Sequence, residues 1–361
     1  MSKITESEIM QELSGVVDPD LKLTFEELSA IKKVEIDDDL IKIYLELVPP
    51  INWVAENVNN TIANVLEKIA PDMENEVIFS EKIIDTTNRE FLKGVKNIIA
   101  VASGKGGVGK SAVASNIAAA LSMTGAKVGM LDGDVYGPSQ PTMFGLKDET
   151  LKAVEMPDGK TVAYPSEKFG IKVASMGFVL NRDEAAIVRG PLLAGYFSML
   201  FEQVEWGPLD FLIFDLPPGT GDIQLTLTQK IPLTGAAIVT TPQEISLADV
   251  RRSIAMFKRV NVDILGIIEN MSYFQPPDMP DKKYYIFGKE GGKSIAKEAE
   301  VPFLGEVPLD MKIRELNDGG KPYYIENKDN QHFNSIVGEL IKQVRIHNHK
   351  IIEEPLTQIS I

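Results

Sequence analysis

Apolar and polar residues follow one another in two rhythms along this chain, and the change between them comes near residue 97. Before it the elements are few and mixed. Glu6 to Leu13 has helical spacing, and Val17-Asp18-Pro19-Asp20 breaks it with turn chemistry. Two alternating runs follow, Ile31 to Ile36 and Leu40 to Leu47, joined by the acidic turn Asp37-Asp38-Asp39; they predict two strands. Val54, Val58, Ile62, Val65, Leu66 and Ile69 recur at helical spacing, so a helix is expected from Val54 to Ile69 and a last strand from Glu76 to Phe79. Trp53, just ahead of that helix, is expected in the core, as is usual for an aromatic side chain. Residues 1–80 read as a small α/β domain, and the polar, aperiodic stretch 81–96 as a linker.

From Asn97 onward short apolar strands alternate with helical patterns, which implies an α/β fold with a mostly parallel sheet and helices on both faces. The strands are expected at Asn97 to Ala102, Lys127 to Leu131, Lys172 to Ser175, Phe211 to Phe214, Ala236 to Thr240, Ile264 to Ile268 and Phe303 to Glu306. Helices are expected near 111–124, 191–204, 222–230, 246–259 and 290–299. Ser246 with Asp249 resembles a capping box at the start of the fourth. Ala153 to Tyr164 interrupts the rhythm, and Asp158-Gly159 marks it as a β-hairpin insertion. Ser335 to Ile346 has the spacing of a further helix, placing the domain at 97–346 and a C-terminal tail at 347–361.

Composition then narrows the setting. A chain of 361 residues suits two domains. Its net charge of −15 argues against broad binding to nucleic acid or an anionic membrane, so neither is an expected partner. There are no cysteines, which excludes disulfides and thiolate metal sites within the chain. The opening residues lack the apolar core of a signal peptide, and no apolar run approaches the roughly 18 residues of a membrane span. A cytoplasmic location is expected.

The chemistry concentrates in one stretch. Gly104-Lys105-Gly106-Gly107-Val108-Gly109-Lys110-Ser111 lies between an apolar strand and a helical pattern that opens at Ala112. That order puts backbone N–H groups and a helix N-terminus around a phosphate. The spacing fits G-x-x-x-x-G-K-[ST], with Lys110 reaching the terminal phosphates and Ser111 ligating Mg²⁺. The loop also satisfies the dinucleotide pattern G-x-G-x-x-G, with Asp132 where a ribose-binding acid would stand. Lys110-Ser111 separates the two, since a dinucleotide fold has no use for a lysine and hydroxyl there. Asp215, ending the apolar strand Phe211-Leu212-Ile213-Phe214, stands where a P-loop NTPase places an acid near its Mg²⁺.

The second lysine, Lys105, matches the deviant Walker A loop of the MinD/ParA/nitrogenase-iron-protein group. Four further segments resemble those of the Mrp-type (ApbC-like) ATPases: Asp132 to Ser139, Asp215 to Asp222, Glu269-Asn270-Met271-Ser272 and Tyr285-Ile286-Phe287-Gly288. The first 80 residues resemble the small iron–sulfur-assembly domain often fused in front of such ATPases. The resemblance implies ATP and Mg²⁺ as cofactors, a homodimer, slow dimer-dependent hydrolysis, and iron–sulfur clients or assembly proteins as partners.

It also implies roles for single residues. Gly104 to Ala112, with Lys105, Gly106, Gly107, Val108 and Gly109 between, would cradle the phosphates. Lys105 would reach the partner subunit's nucleotide, Asp134 would orient the attacking water, and Asp132 would begin the same turn. Asp215 would hold Mg²⁺ through a water, Gly219 would sense the γ-phosphate, and Asn270 would read the adenine edge. Family members commonly carry Cys-x-x-Cys after the Asn-Met-Ser segment; here Pro276 and Met279 stand in those places, and neither supplies a thiolate. A cluster held in the family's usual way is therefore not expected, and the output reads as a nucleotide-switched scaffold. Asp278, Asp281, His347 and His349 read as solvated, as do Arg251, Arg252, Lys258 and Arg259 on the 246–259 helix. A MinD/ParA-like positioning ATPase and, more remotely, a dinucleotide-dependent oxidoreductase remain as alternatives.

Overall fold

The computed structural model describes residues 4–87, 89–179, 195–197 and 199–353. The chain divides into two compact units, one of residues up to Asp85 together with those from Ile341 onward, the other Thr86–Leu340.

In the first unit, α1 (Glu6–Ser14) precedes β1 (Ile31–Asp37) and β2 (Leu40–Leu47), and α2 (Ala55–Ile69) leads to β3 (Glu74–Glu81). β1 pairs antiparallel with β2 through the short acidic turn, whereas β3 pairs parallel with β2, the pairing for which α2 serves as crossover. Strand β2 is central, and Ile41, Ile43, Leu45 and Leu47 are buried at its alternate positions. Thr5 and Glu8 close a capping box at the start of α1. Trp53 is 39% exposed rather than in the core; Val54, the next residue, takes the buried position ahead of α2.

The second unit is built on β4 (Val95–Ala102), β5 (Val128–Asp132), β8 (Ser166–Lys168), β9 (Ile171–Ser175), β10 (Leu209–Asp215), β11 (Gly235–Thr240), β12 (Ile264–Phe274) and β13 (Phe303–Leu309). They form one sheet in the order β13-β12-β11-β4-β10-β5-β9-β8, parallel throughout except that edge strand β8 runs antiparallel to β9. The uninterrupted apolar runs of β4 and β10 are buried throughout, as central parallel strands require. Flanking helices are α3 (Lys110–Met123), α4 (Gln140–Met143), α5 (Asp222–Lys230), α6 (Glu244–Arg259), α7 (Gly291–Glu298) and α8 (Met311–Asp318), followed by α9 (Gln331–Glu353). The expected hairpin is present as β6 (Lys152–Glu155) and β7 (Thr161–Tyr164), an antiparallel pair apart from the main sheet. Of the helix expected over 191–204, residues 191–194 and 198 lie outside the described residues, and Met199–Gln203 form a π-helical turn.

Three elements differ from expectation. Helix α6 begins at Glu244, so Ser246 lies inside it and shares a buried 2.8 Å hydrogen bond with Thr241 instead of capping. Strand β12 continues to Phe274 because its ladder with β13 continues, reaching the pair Phe274–Leu309. Helix α9 runs on to Glu353 where the polar spacing suggests a tail, because Arg345 and Asn348 are buried there as hydrogen-bonded polar groups.

Sheet register sets up the site. Val101, Asp215, Asp132 and Ser175 are successive cross-strand partners at the carboxyl ends of β4, β10, β5 and β9. Ligands of open α/β sheets bind outside that edge.

Candidate phosphate-binding site

The glycine loop leaves β4 at Ala102 and enters α3 at Lys110. Its conformation is held by its neighbours at both ends. Gly109 has φ +78°, and a Cβ there would lie 2.2 Å from Asn270 Nδ2, so only glycine fits. Asn270 uses that closeness: its Nδ2 donates to the Val108 carbonyl at 2.8 Å, gripping the loop from the end of β12. At Gly104 a Cβ would come within 2.5 Å of the Asp249 backbone, so α6 packs directly on the loop. Ser103 ties both sides together, its hydroxyl donating to Lys105 O at 2.9 Å and its carbonyl accepting from Gly219 N at 3.0 Å. The turn carrying Gly219 is thereby joined to the start of the loop.

At the loop's inner end Lys110 Nζ donates to Asp215 Oδ1 and, at 3.3 Å, to Ser111 Oγ. Both members of this ion pair are buried, which demands close pairing. Gln140, the first residue of α4, completes the group: its Nε2 donates to Asp215 Oδ2 at 2.8 Å and to Ser111 O at 3.1 Å. The loop helix, the end of β10 and α4 thus converge on one carboxylate. Ala112, expected in the cradle, uses its carbonyl to accept from Ser115 Oγ and Asn116 Nδ2, bonds that stiffen the first turns of α3.

Asp132 is fully buried and accepts four hydrogen bonds. Asp134 N donates to Oδ1 at 3.1 Å, while Ser139 N (3.0 Å), Gln140 N (3.0 Å) and Ser175 Oγ (3.1 Å) converge on Oδ2. Burial and the neighbouring Asp215 charge push its pKa up to about 7, against the opposing pull of the Gln140 and Asp134 N–H groups and Lys110. So engaged, this carboxyl organises the turn after β5. Asp134 Oδ1 accepts from Tyr136 N and Gly137 N, each at 3.2 Å, and the side chain lines a cleft of about 620 Å³ with Pro217, Pro218, Gly221 and Gln224. The segments after β5 and after β10 are its two walls.

The sequence and the fold both have known counterparts. The family described as ParA: NUBPL iron-transfer P-loop NTPase matches residues 94–345. The chain belongs to that family. An iron–sulfur cluster carrier protein of Synechocystis sp. is 44% identical over 332 residues, covering 90% of this chain and 93% of the relative. The iron–sulfur cluster transfer protein NUBPL of Dictyostelium discoideum is 48% identical over 263 residues, covering 72% of this chain and 80% of its own. A nucleotide-binding protein from Archaeoglobus fulgidus, solved in complex with ADP, superposes with a TM-score of 0.57 at 38% identity, covering 65% of this chain and 90% of that one. The Pyrococcus furiosus cell division ATPase MinD shares the fold, with a TM-score of 0.50 at 22% identity over 68% of this chain and 97% of its own.

Other residues singled out in this NUBPL-family chain are placed as follows. Lys105 is half-buried on the loop, and among the described residues no carboxylate pairs with its ammonium. The interval carrying Pro276 and Met279 is a closed hairpin: Phe274 and Tyr284 exchange two backbone hydrogen bonds of 2.8 Å, and Gln275 Nε2 donates to Pro280 O. Lys283 Nζ lies 3.8 Å from the Tyr273 ring centroid, fixing the returning limb. Met279, Asp278 and Asp281 are exposed. His347 and His349 lie on α9, in the first unit. On α6, Arg251 pairs with Glu244 and Glu298, and Arg252 with Asp249, so half of the basic cluster is neutralised in place.

The residue that motif reading misses is Gln140. Nothing in a glutamine after Gly137-Pro138-Ser139 signals chemistry; its importance lies in Ser111 and Asp215, distant in sequence, which the fold brings to it.

Proposed function

We propose that this chain is a cytoplasmic, homodimeric, Mg-ATP-dependent ATPase that serves iron–sulfur cluster delivery without holding a cluster on thiolates of its own. The observation that carries the nucleotide part is the Lys110 ammonium placed between Asp215 and Ser111 at the end of a glycine loop. A cation for phosphate and two hard oxygen donors for a metal are gathered within one side chain's reach. That donor set fits Mg²⁺, which prefers one or two carboxylates with hydroxyl, water and phosphate oxygens. Mg²⁺ bound there would supply charge neutralisation for the phosphates.

The chain's own residues do the rest. The loop N–H groups and the start of α3 hold the phosphates. Lys110 exchanges its carboxylate partner for phosphate, which frees Asp215, the residue that together with Ser111 would hold the metal. Gly219 reports the γ-phosphate by giving up its bond to Ser103, and Asp134, at the cleft, orients the attacking water. Lys105, with no carboxylate partner among the described residues, acts on the partner subunit's nucleotide as a cation supplied in trans. Asn270 positions the loop beside the adenine. The relatives' names, iron–sulfur cluster carrier and transfer protein, support the delivery role. With no cysteine in the chain, a delivered cluster is cargo ligated by a client or assembly partner.

Calorimetric titration with ATP, with Mg²⁺ and in its absence, tests the nucleotide part; Lys110→Ala binding ATP as tightly as the unaltered protein would overturn it. Anaerobic reconstitution with iron and sulfide, followed by absorbance and iron counting, tests the rest. Little stoichiometric iron is expected on this chain alone, and a stable cluster would refute the scaffold reading.

A further inference from the structure

We infer that Gln140 is a positioning residue for the metal's hydration shell, its side-chain oxygen accepting a hydrogen bond from a metal-bound water once nucleotide draws Lys110 away. The inference rests on the Mg-ATP reading above and names a residue that reading does not require.

Gln140 is fully buried. Its Nε2 faces two acceptors, Asp215 Oδ2 and Ser111 O, so the amide's orientation follows from the chemistry of its neighbours. Oε1 is therefore the other end, and it is buried with no hydrogen-bond partner among the described residues. The amide cannot readily turn to satisfy it, because Nε2 would then leave a buried carboxylate. The backbone is fixed as well, since Gln140 N donates to Asp132 at 3.0 Å. Next to it, the Ser139 hydroxyl is also buried and, among the described residues, without a partner. Buried polar groups nearly always find partners, and an orphan acceptor beside a proposed metal site calls for a donor that arrives with the ligand. A water on Mg²⁺ is such a donor, its protons made more acidic by the cation. Lys110, whose ammonium now bonds Asp215 and Ser111, leaves Oε1 unserved. Gln140 thus has one end on the two residues proposed to hold the metal and the other end waiting.

The test uses the full chain and two variants, Gln140→Met, which keeps the length and loses the amide, and Gln140→Asn, which keeps the amide and withdraws it. Melting curves establish that each is folded, and one folded variant is sufficient. ATP binding is titrated in EDTA and across a series of Mg²⁺ concentrations. The expected result is an affinity in EDTA within about twofold of the unaltered protein, with the Mg²⁺ needed for half-maximal tightening raised about tenfold, as for other outer-shell metal partners. An unchanged Mg²⁺ requirement overturns the inference. So does a proportional loss with and without Mg²⁺, which would mark Gln140 as structural support only. If the unaltered protein binds ATP with no response to Mg²⁺, the metal reading fails and the inference falls with it, an outcome visible before any variant is made.

Discussion

Arg345 and Asp18 form a doubly hydrogen-bonded ion pair, 3.0 Å from Nη1 to Oδ1 and 2.6 Å from Nη2 to Oδ2, from which solvent is wholly excluded. The guanidinium also donates to Asp20 Oδ2 at 2.6 Å and to the Val48 carbonyl at 3.1 Å. The Val17-Asp18-Pro19-Asp20 break is thus a socket for a side chain of α9, more than 300 residues away in sequence. Removing one partner of such a pair strands a buried charge at a cost of about 3–5 kcal/mol. Arg345→Ala should therefore unfold the first unit at markedly lower denaturant, followed through Trp53 in a Trp206→Phe background. A midpoint unmoved by the substitution would show the pair to be without net effect.

The same pair predicts acid sensitivity. Burial pushes Asp18 up, but the hydrogen bonds and charge of Arg345, with the Leu21 and Asp20 N–H groups, outweigh it and hold the carboxyl below its ordinary value. A lowered folded pKa contributes stability that is present above the unfolded value and lost as pH falls through the folded one. The first unit should weaken below about pH 4, and Arg345→Ala should lose that part of its acid dependence. Denaturation midpoints between pH 2.5 and pH 6 will show it.

Asp132 works in the opposite direction. Its pKa is raised from 3.8 to about 7, so its contribution to stability is fully present below pH 3.8 and is lost as pH rises toward 7. The nucleotide-free second unit is expected to lose stability across that interval, read through Trp206 in a Trp53→Phe background. Asp132→Asn should flatten the slope even where it lowers stability overall, since it cannot reproduce all four accepted hydrogen bonds. A variant with the slope of the unaltered protein would locate the titration elsewhere.

Lys110 and Asp215 should show strong coupling. Lys110→Ala leaves the buried Asp215 carboxylate with Gln140 as its remaining side-chain donor, so the nucleotide-free protein should melt lower. Adding Asp215→Asn removes the stranded charge and should restore most of that loss. ATP affinity should behave otherwise, falling at least about tenfold in the single variant and staying low in the double. Melting temperatures that simply add would indicate two independent residues.

Gly109→Ala should separate loop geometry from fold. A Cβ there meets Asn270 Nδ2 at 2.2 Å and must also occupy φ +78°. The expected variant keeps the circular dichroism of the sheet and loses ATP binding. Asn270→Ala removes only the 2.8 Å bond to Val108 and should weaken binding by no more than about tenfold, the scale of one net hydrogen bond. Equal losses in both would mean that the grip, and not glycine's conformation, decides the loop.

The phosphate loop and the positions of most parallel strands along the chain are legible because glycine spacing and runs of buried residues are local signals. Asp158-Gly159 gave away its hairpin for the same reason. What escaped depends on distant partners. Arg345 and Asn348 look like a solvated helix end because a buried guanidinium or amide reads as polar, and only Asp18, Asp20 and the Val48 and Pro49 carbonyls reveal otherwise. Ser246 and Asp249 have the spacing of a cap, yet α6 starts at Glu244 and Asp249 instead packs against Gly104. In the site, the loop residues were readable singly, but the four donors on Asp132 and the convergence of Gln140 on Asp215 come from three different strand ends meeting at one edge.

One strand links the residue that grips the phosphate loop to the hairpin in which Pro276 and Met279 stand. Asn270, which grips the phosphate loop, and Phe274, where the proline-rich hairpin closes, stand four residues apart on β12, with Met271 (φ +54°) and a break in the register with β13 between them. Any client seated on that hairpin would sit four residues of backbone from the side chain that grips the phosphate loop, whether or not it brings the thiolates that a chain without cysteine cannot supply.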